Sequence, residues 1–215
     1  MSVYTPISKF DGNGADIAVG TRAEERFEQA FNDLNQQQTE VVYKVLRPTH
    51  EQDCALHVDR YVEKYRYSDQ EFLKRIAFQV KAKSTPQFCV AELRRGNYAN
   101  GWLLASEADY LAEEKPDRFW CVKMGSVKAK VEQMWGKGVF EDLATLEKRY
   151  NCTDDKTAAI LGAQRLAGYE PALYLKDTEY RREKARDVLI YIPISMFAKH
   201  EYIEFQARPL SAMPL

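Results

Sequence analysis

The sequence predicts a mixed α/β fold (α+β in the looser sense), in which strands interspersed with helices form one mixed sheet. Three observations carry that expectation. Phe27, Ala30, Phe31 and Leu34 recur at helical spacing. Residues 56–65 and 76–83 alternate apolar and polar side chains over strand-length runs. A chain of 215 residues, 45% hydrophobic and 29% charged, is long enough for one well-buried core and an extension. The expected organisation is an N-terminal arm over 1–20, a core over 20–125 and an α/β extension over 126–215 packed on that core.

The arm carries Asp11-Gly12-Asn13-Gly14 and Gly20, which is turn chemistry. Thr21 reads as the N-cap of an amphipathic helix over 21–36. Val41 to Leu46 is a short β-rich run, and 56–65 with 76–83 are two more strands, joined through Ser68-Asp69-Gln70. A turn centred near Gln70 places Asp59 across from Lys81. Beyond Pro86, Trp102 to Ala105 reads as a strand, Ser106 as the N-cap of a short helix reaching Glu114, and Phe119 to Met124 as a buried strand. Residues 128–150 are charged and helical in places, interrupted at Trp135-Gly136-Lys137-Gly138. Thr153 with Asp154 and Asp155 opens a helix that stops near Gly168. The last strands are Val188 to Ile192 and Tyr202 to Phe205, closed by Pro193 and Pro209.

Composition narrows the function classes. With 31 basic and 32 acidic side chains the net charge is -1, so nucleic-acid binding requires a local basic surface and not global attraction. Cys54, Cys89, Cys121 and Cys152 show no metal-site spacing and read as reduced thiols, mostly buried. No apolar run approaches the ~20 residues of a membrane helix, and the first residues lack a secretory pattern. These features point to a cytoplasmic protein.

The most informative run is Ile76-Ala77-Phe78-Gln79-Val80-Lys81-Ala82-Lys83, where Gln79 and Lys81 share a strand face. An ammonium beside an amide at mid-strand suits an anionic guest. Upstream stand Asp59 on the preceding strand and Glu24 at the edge of a helix's apolar stripe. Phosphodiester hydrolysis needs an activated water, a metal to neutralise the phosphate and a nearby cation. Hard Mg²⁺ takes a few oxygen ligands and keeps several waters. Each residue also has a simpler reading. Thr21-Arg22-Ala23-Glu24 is a capping box; Asp59 can pair with Arg60 or Lys64; Lys81 and Lys83 can line a solvated face; and His57 can be an ordinary sheet histidine. Lys83, Arg94, Arg95, Lys128 and Lys130 are candidate phosphate contacts, whereas Arg181, Arg182, Lys184 and Arg186, mixed with Glu183 and Asp187, read as a salt-bridged helix face. Trp102, Trp120 and Trp135 read as core or cap residues.

The ordered set, acid on a helix, Asp on a strand and Gln-x-Lys on the next, resembles the PD-(D/E)xK nuclease superfamily, in its Mrr-like Gln-x-Lys variant. The run Gly20-Thr21-Arg22-Ala23-Glu24, the tripeptide His57-Val58-Asp59, and residues 101–110 carry the likeness, which covers about 20–125. The resemblance implies a restriction-endonuclease-like core of a mixed sheet flanked by helices, and a Mg²⁺- or Mn²⁺-dependent endodeoxyribonuclease of phage or restriction type. It implies Asp59, Glu24 and Gln79 around the metal and Lys81 beside the attacking water. Gln79 stands where the commoner pattern has a carboxylate, which leaves the site one negative charge poorer. DNA is the implied partner, and cutting both strands implies a homodimer. The alternative is a catalytically inactive nuclease-fold protein that binds nucleic acid or a protein partner in phage or anti-phage biology.

Overall fold

The computed structural model describes residues 15–82, 87–94, 101–136, 170–180 and 183–208. In chain order these form α1 (Ala15–Gln37), β1 (Val41–Leu46), α2 (His50–Leu56), β2 (Arg60–Arg66), β3 (Phe72–Ala82), β4 (Phe88–Arg94), α3 (Trp102–Ala105), β5 (Tyr110–Glu114) and β6 (Arg118–Lys123). Then follow α4 (Met124–Trp135), β7 (Ala172–Tyr180), β8 (Glu183–Pro193), two short 3-10 turns and β9 (Tyr202–Gln206). The fold is mixed α/β, with a six-stranded sheet in the order β1-β2-β3-β5-β6-β9 and a three-stranded sheet in the order β4-β8-β7. The chain forms two compact units, one from Met1–Ser84, Glu107–Val122 and Ile203–Leu215, the other from Thr85–Ser106 and Lys123–Tyr202. Among the described residues no helix is long and apolar enough to cross a membrane.

In the first unit, β1, β2 and β3 pair as an antiparallel meander, and β5 joins β3 in parallel. Helix α1 lays Ala23, Phe27, Ala30 and Phe31 on Val62, Phe78, Val80, Ala112, Phe119 and Cys121. Phe27 is the hub of this core, its ring centroid 5.1 Å from those of Phe31 and Phe78 and 5.3 Å from that of Phe119. Each such buried ring contributes about 1.5–3 kcal/mol. Arg26, on the same helix and 1% exposed, anchors α1 to the turn between β5 and β6. Its guanidinium donates to the carbonyls of Lys115 and Pro116, each at 2.8 Å, and to Glu114 at 3.2 Å. A buried guanidinium is tolerated only when its donors are satisfied, so the helix is held in one rotation, and the direction of Glu24 follows from it.

Several elements differ from expectation, each for an identifiable reason. Helix α1 begins at Ala15, not Thr21, because residues 15–19 are compatible with a helix and one interior glycine costs only about 1 kcal/mol. Thr21 is therefore inside the helix and caps nothing. The stretch expected as one strand over 56–65 is divided: α2 ends at Leu56, His57 is left-handed at φ 49°, and β2 starts at Arg60. A capping box starts α2, with the Gln52 N–H donating to Thr49 Oγ1 at 3.2 Å and the Thr49 N–H to Gln52 Oε1 at 3.0 Å. His57 is thus the C-cap of α2 and not a sheet residue.

Arg60 pairs with Phe78, so Asp59 comes level with Gln79, two residues short of the expected Lys81. A bulge between Lys64 and Tyr65 lies within this hairpin. Trp102–Ala105 is the short helix α3, and the segment expected as a helix to Glu114 contains β5. Leu-Ala-Glu-Glu favours a helix locally, but pairing with β3 and burial of Leu111 and Ala112 override that preference.

In the second unit β8 lies between β4 and β7, and Tyr180 pairs with Glu183 at the end of the β7–β8 ladder. Lys184 and Arg186 therefore belong to a strand and not to the expected helix face; hairpin pairing overrides their helical propensity. Helix α4 buries Met124, Val127, Val131 and Trp135 along one stripe and ends at Gly136, φ 74°, whose N–H donates to the Glu132 carbonyl at 2.8 Å. Cys89, Cys121, Trp120 and Trp135 are buried. The helix expected over 153–168 lies outside the described residues.

Candidate active site

Asp59 sits at the entry to β2, where the strand's own backbone no longer serves all of β3. Its N–H donates to the Phe78 carbonyl at 2.9 Å, and its Oδ2 accepts the Val80 N–H at 2.7 Å. The carboxylate thus stands in for a ladder carbonyl beside a residue that is 4% exposed. Gln79, 3% exposed, donates from Nε2 to the same oxygen at 3.0 Å. A carboxylate has no proton to give, so the nitrogen side of the Gln79 amide must face it. Lys81, of the same parity on β3, brings Nζ to 3.5 Å from Asp59 Oδ2. Asp59, Gln79 and Lys81 therefore meet around one carboxylate oxygen, and none of these contacts uses Oδ1.

Glu24 reaches this cluster through Arg60. The buried Arg60 guanidinium donates from Nη1 to Glu24 Oε2 at 2.9 Å and to the Asp59 carbonyl at 2.6 Å, and from Nε to Glu28 Oε1 at 2.7 Å. Arg60 thus engages the Asp59 backbone, while Lys64 lies opposite Lys74. Because Thr21 is interior to α1, the capping role for Glu24 is excluded. Burial first, and the neighbouring Asp59 carboxylate second, raise the Glu24 pKa above its ordinary value of 4.5; Arg60 and Lys81 oppose this only in part. Two carboxylates are held where they repel each other.

One acid escaped the sequence reading. Asp53 lies on α2, open to solvent yet crowded by protein, and its pKa is raised by that crowding and then by Asp59, with Lys81, His57 and His50 acting in the opposite sense. The signal was present in Thr49-His50-Glu51-Gln52, a Thr-x-x-Gln helix start that places Asp53 in the first turns of α2.

Lys83, Arg95 and the side chain of Arg94 lie outside the described residues. Lys128 and Lys130 are half-buried on α4 of the other unit. Among the described residues there is no group of three or more His, Cys, Asp or Glu able to hold a metal ion. The pair Asp59 and Glu24 still suits a hard divalent cation, which takes one or two carboxylates and retains water. Their mutual repulsion is what such a cation relieves. No protein-family model, curated protein or solved structure matches the chain.

Proposed function

We propose that the protein is a Mg²⁺- or Mn²⁺-dependent endodeoxyribonuclease of the PD-(D/E)xK type, in its Gln-x-Lys form. The observation that carries this reading is the convergence of Gln79 Nε2 and Lys81 Nζ on Asp59 Oδ2, with Glu24 tied beside it by Arg60. The antiparallel meander of β1, β2 and β3 adds support, since its register sets Asp59, at the entry to β2, beside the Gln-x-Lys strand.

In this reading Asp59 and Glu24 hold the cation. When bound, it neutralises the scissile phosphate and lowers the pKa of an attacking water. Gln79 and the Val80 N–H hold the Asp59 carboxylate in place through Oδ2. The carbonyl oxygen of Gln79 is the part of that side chain with lone pairs to offer a metal. Lys81, 27% exposed, stands where its ammonium can orient the water and stabilise charge developing on the phosphorane. Arg60 holds Glu24 in place through its second acidic partner, Glu28. Action on both strands would call for a second copy of the chain.

The absence of a third metal-ligating side chain among the described residues favours a second reading, a nuclease fold that binds nucleic acid or a protein partner without cutting. Supercoiled plasmid incubated with the purified protein separates the two. Nicked or linear product with Mg²⁺ or Mn²⁺, abolished by EDTA and by Lys81→Ala, is expected; intact plasmid under all conditions refutes the catalytic reading.

A further inference from the structure

We propose that the sheet face of β1, β2 and β3 bearing Lys44 and Arg75 is a track for the phosphate backbone of duplex DNA, leading to Asp59 and Lys81. This rests on the nuclease reading and names the surface by which its substrate is held.

The register builds the track row by row. Lys44 pairs with Glu63, and Glu63 with Arg75, so the three side chains cross the meander on one face. The next row is Leu46, Tyr61 and Ala77, and the one after it holds Asp59 level with Gln79. Arg75, Ala77, Gln79 and Lys81 alternate along β3 and share that face. Six residues at about 3.3 Å each separate Arg75 from Lys81 by about 20 Å, about six base pairs of duplex at 3.4 Å per step.

The Lys44–Arg75 row presents positive charge to solvent, and beside the track the exposed Asp109 carboxylate accepts the Ala77 N–H at 2.8 Å. Glu63, the acid of the Lys44–Arg75 row, is 7% exposed. Its Oε2 accepts the Tyr65 hydroxyl proton at 2.6 Å, and its Oε1 accepts from Arg75 Nε at 2.9 Å and also from Nη2. The two cations lie over it. The Lys44 ammonium stands 4.3 Å from the Tyr65 ring centroid, and the Arg75 guanidinium 5.6 Å from that of Tyr61. Both cationic residues are exposed. Rings beneath cations localise them by cation–π attraction, so less side-chain entropy is lost when a phosphate arrives. Phe72, 52% exposed and 5.7 Å from Tyr65 between ring centroids, supplies an apolar flank for sugar carbons. An anion that extends over several such rows and ends at Lys81, beside the Asp59 and Glu24 carboxylates that a divalent cation would screen, is a polyphosphate chain.

The test uses the full chain and a fluorescein-labelled 20-base-pair DNA duplex, with anisotropy read in EDTA over a range of salt. Each phosphate contact contributes about 0.9 to the slope of log K against log salt. Lys44→Gln is expected to reduce the magnitude of that slope by about 1, and Lys44→Gln with Arg75→Gln by about 2. The Lys44→Gln midpoint of unfolding should stay at the wild-type value, because Lys44 is exposed; this keeps the test valid if the double variant folds poorly. Wild-type protein that binds duplex with a slope unchanged in Lys44→Gln overturns the track and leaves the nuclease reading to the plasmid assay. Wild-type protein that cuts plasmid with Mg²⁺ but binds no duplex at low salt also overturns the track. Neither binding nor cutting overturns both.

Discussion

Asp59→Asn and Asp59→Ala separate the two tasks that one carboxylate performs. Its Oδ2 accepts the Val80 N–H at 2.7 Å in place of a ladder carbonyl, and Val80 is 4% exposed. Removing the acceptor in Asp59→Ala strands a buried N–H, at a cost of about 1–3 kcal/mol. Asp59→Asn keeps a carbonyl oxygen for that N–H and loses only the charge assistance, about 1 kcal/mol. Loss of the half-exposed ion pair with Lys81 is common to both and adds at most about 1 kcal/mol. In a chain of this size each kcal/mol moves the midpoint by about 2–4 °C. Thermal denaturation in EDTA should therefore place Asp59→Asn a few degrees below wild type, and Asp59→Ala lower still. Cleavage of supercoiled plasmid should fall by well over ~100-fold in both, because even outer-shell partners of a catalytic metal are worth about 10–100-fold. Wild-type cleavage by Asp59→Asn would refute the active-site assignment. Equal midpoints for the two variants would refute the ladder role.

The other variants bear on the neighbours of Asp59. Lys81→Ala should abolish metal-dependent cleavage while moving the midpoint by no more than about 2–4 °C, since a half-exposed ion pair contributes at most about 1 kcal/mol; a loss of folding would make Lys81 structural. Glu24→Gln should lower turnover and raise the midpoint at pH 7. The Glu24 pKa is raised in the folded state, so its ionisation costs stability as pH climbs from 4.5 through the folded value, and an uncharged isostere escapes that cost. The difference from wild type should vanish below pH 4.5, and a Glu24→Gln midpoint below wild type at pH 7 would contradict the sign. Gln79→Glu sets a second carboxylate against Asp59 Oδ2 at a position 3% exposed, so the midpoint in EDTA should drop and the upward shift on adding Mg²⁺ should exceed that of wild type. An unchanged Mg²⁺-induced shift would place Gln79 away from the cation.

Much of the architecture was legible locally because period and parity are local properties. The stripe Phe27, Ala30, Phe31 identified the face of α1, and alternation over 76–83 placed Gln79 and Lys81 on one side of β3 whatever that strand paired with. The β-rich runs at 41–46, 119–124, 188–192 and 202–205 all fall largely within strands. Where local propensity and tertiary pairing disagreed, pairing prevailed. Leu-Ala-Glu-Glu became β5 because β3 offered a parallel edge and the core offered burial for Leu111 and Ala112, and the Arg- and Glu-rich stretch near 183 became a hairpin strand.

The candidate site divides in the same way. Which residue types were available, an Asp, a Gln-x-Lys and a helical Glu, was written in the sequence. Their relation was not: Asp59 comes level with Gln79 instead of Lys81 because β2 starts only after α2 and a left-handed His57, and the meander register follows from that entry. Only the fold turned Arg60 inward to join Glu24 to Asp59, showed that Thr21 caps nothing, and brought Asp53 into the electrostatic neighbourhood of Asp59. The physical reason is range: periodicity and capping act over a few residues, whereas side chains 35 positions apart, as Glu24 and Asp59 are, become neighbours only through long-range packing of α1 on the sheet.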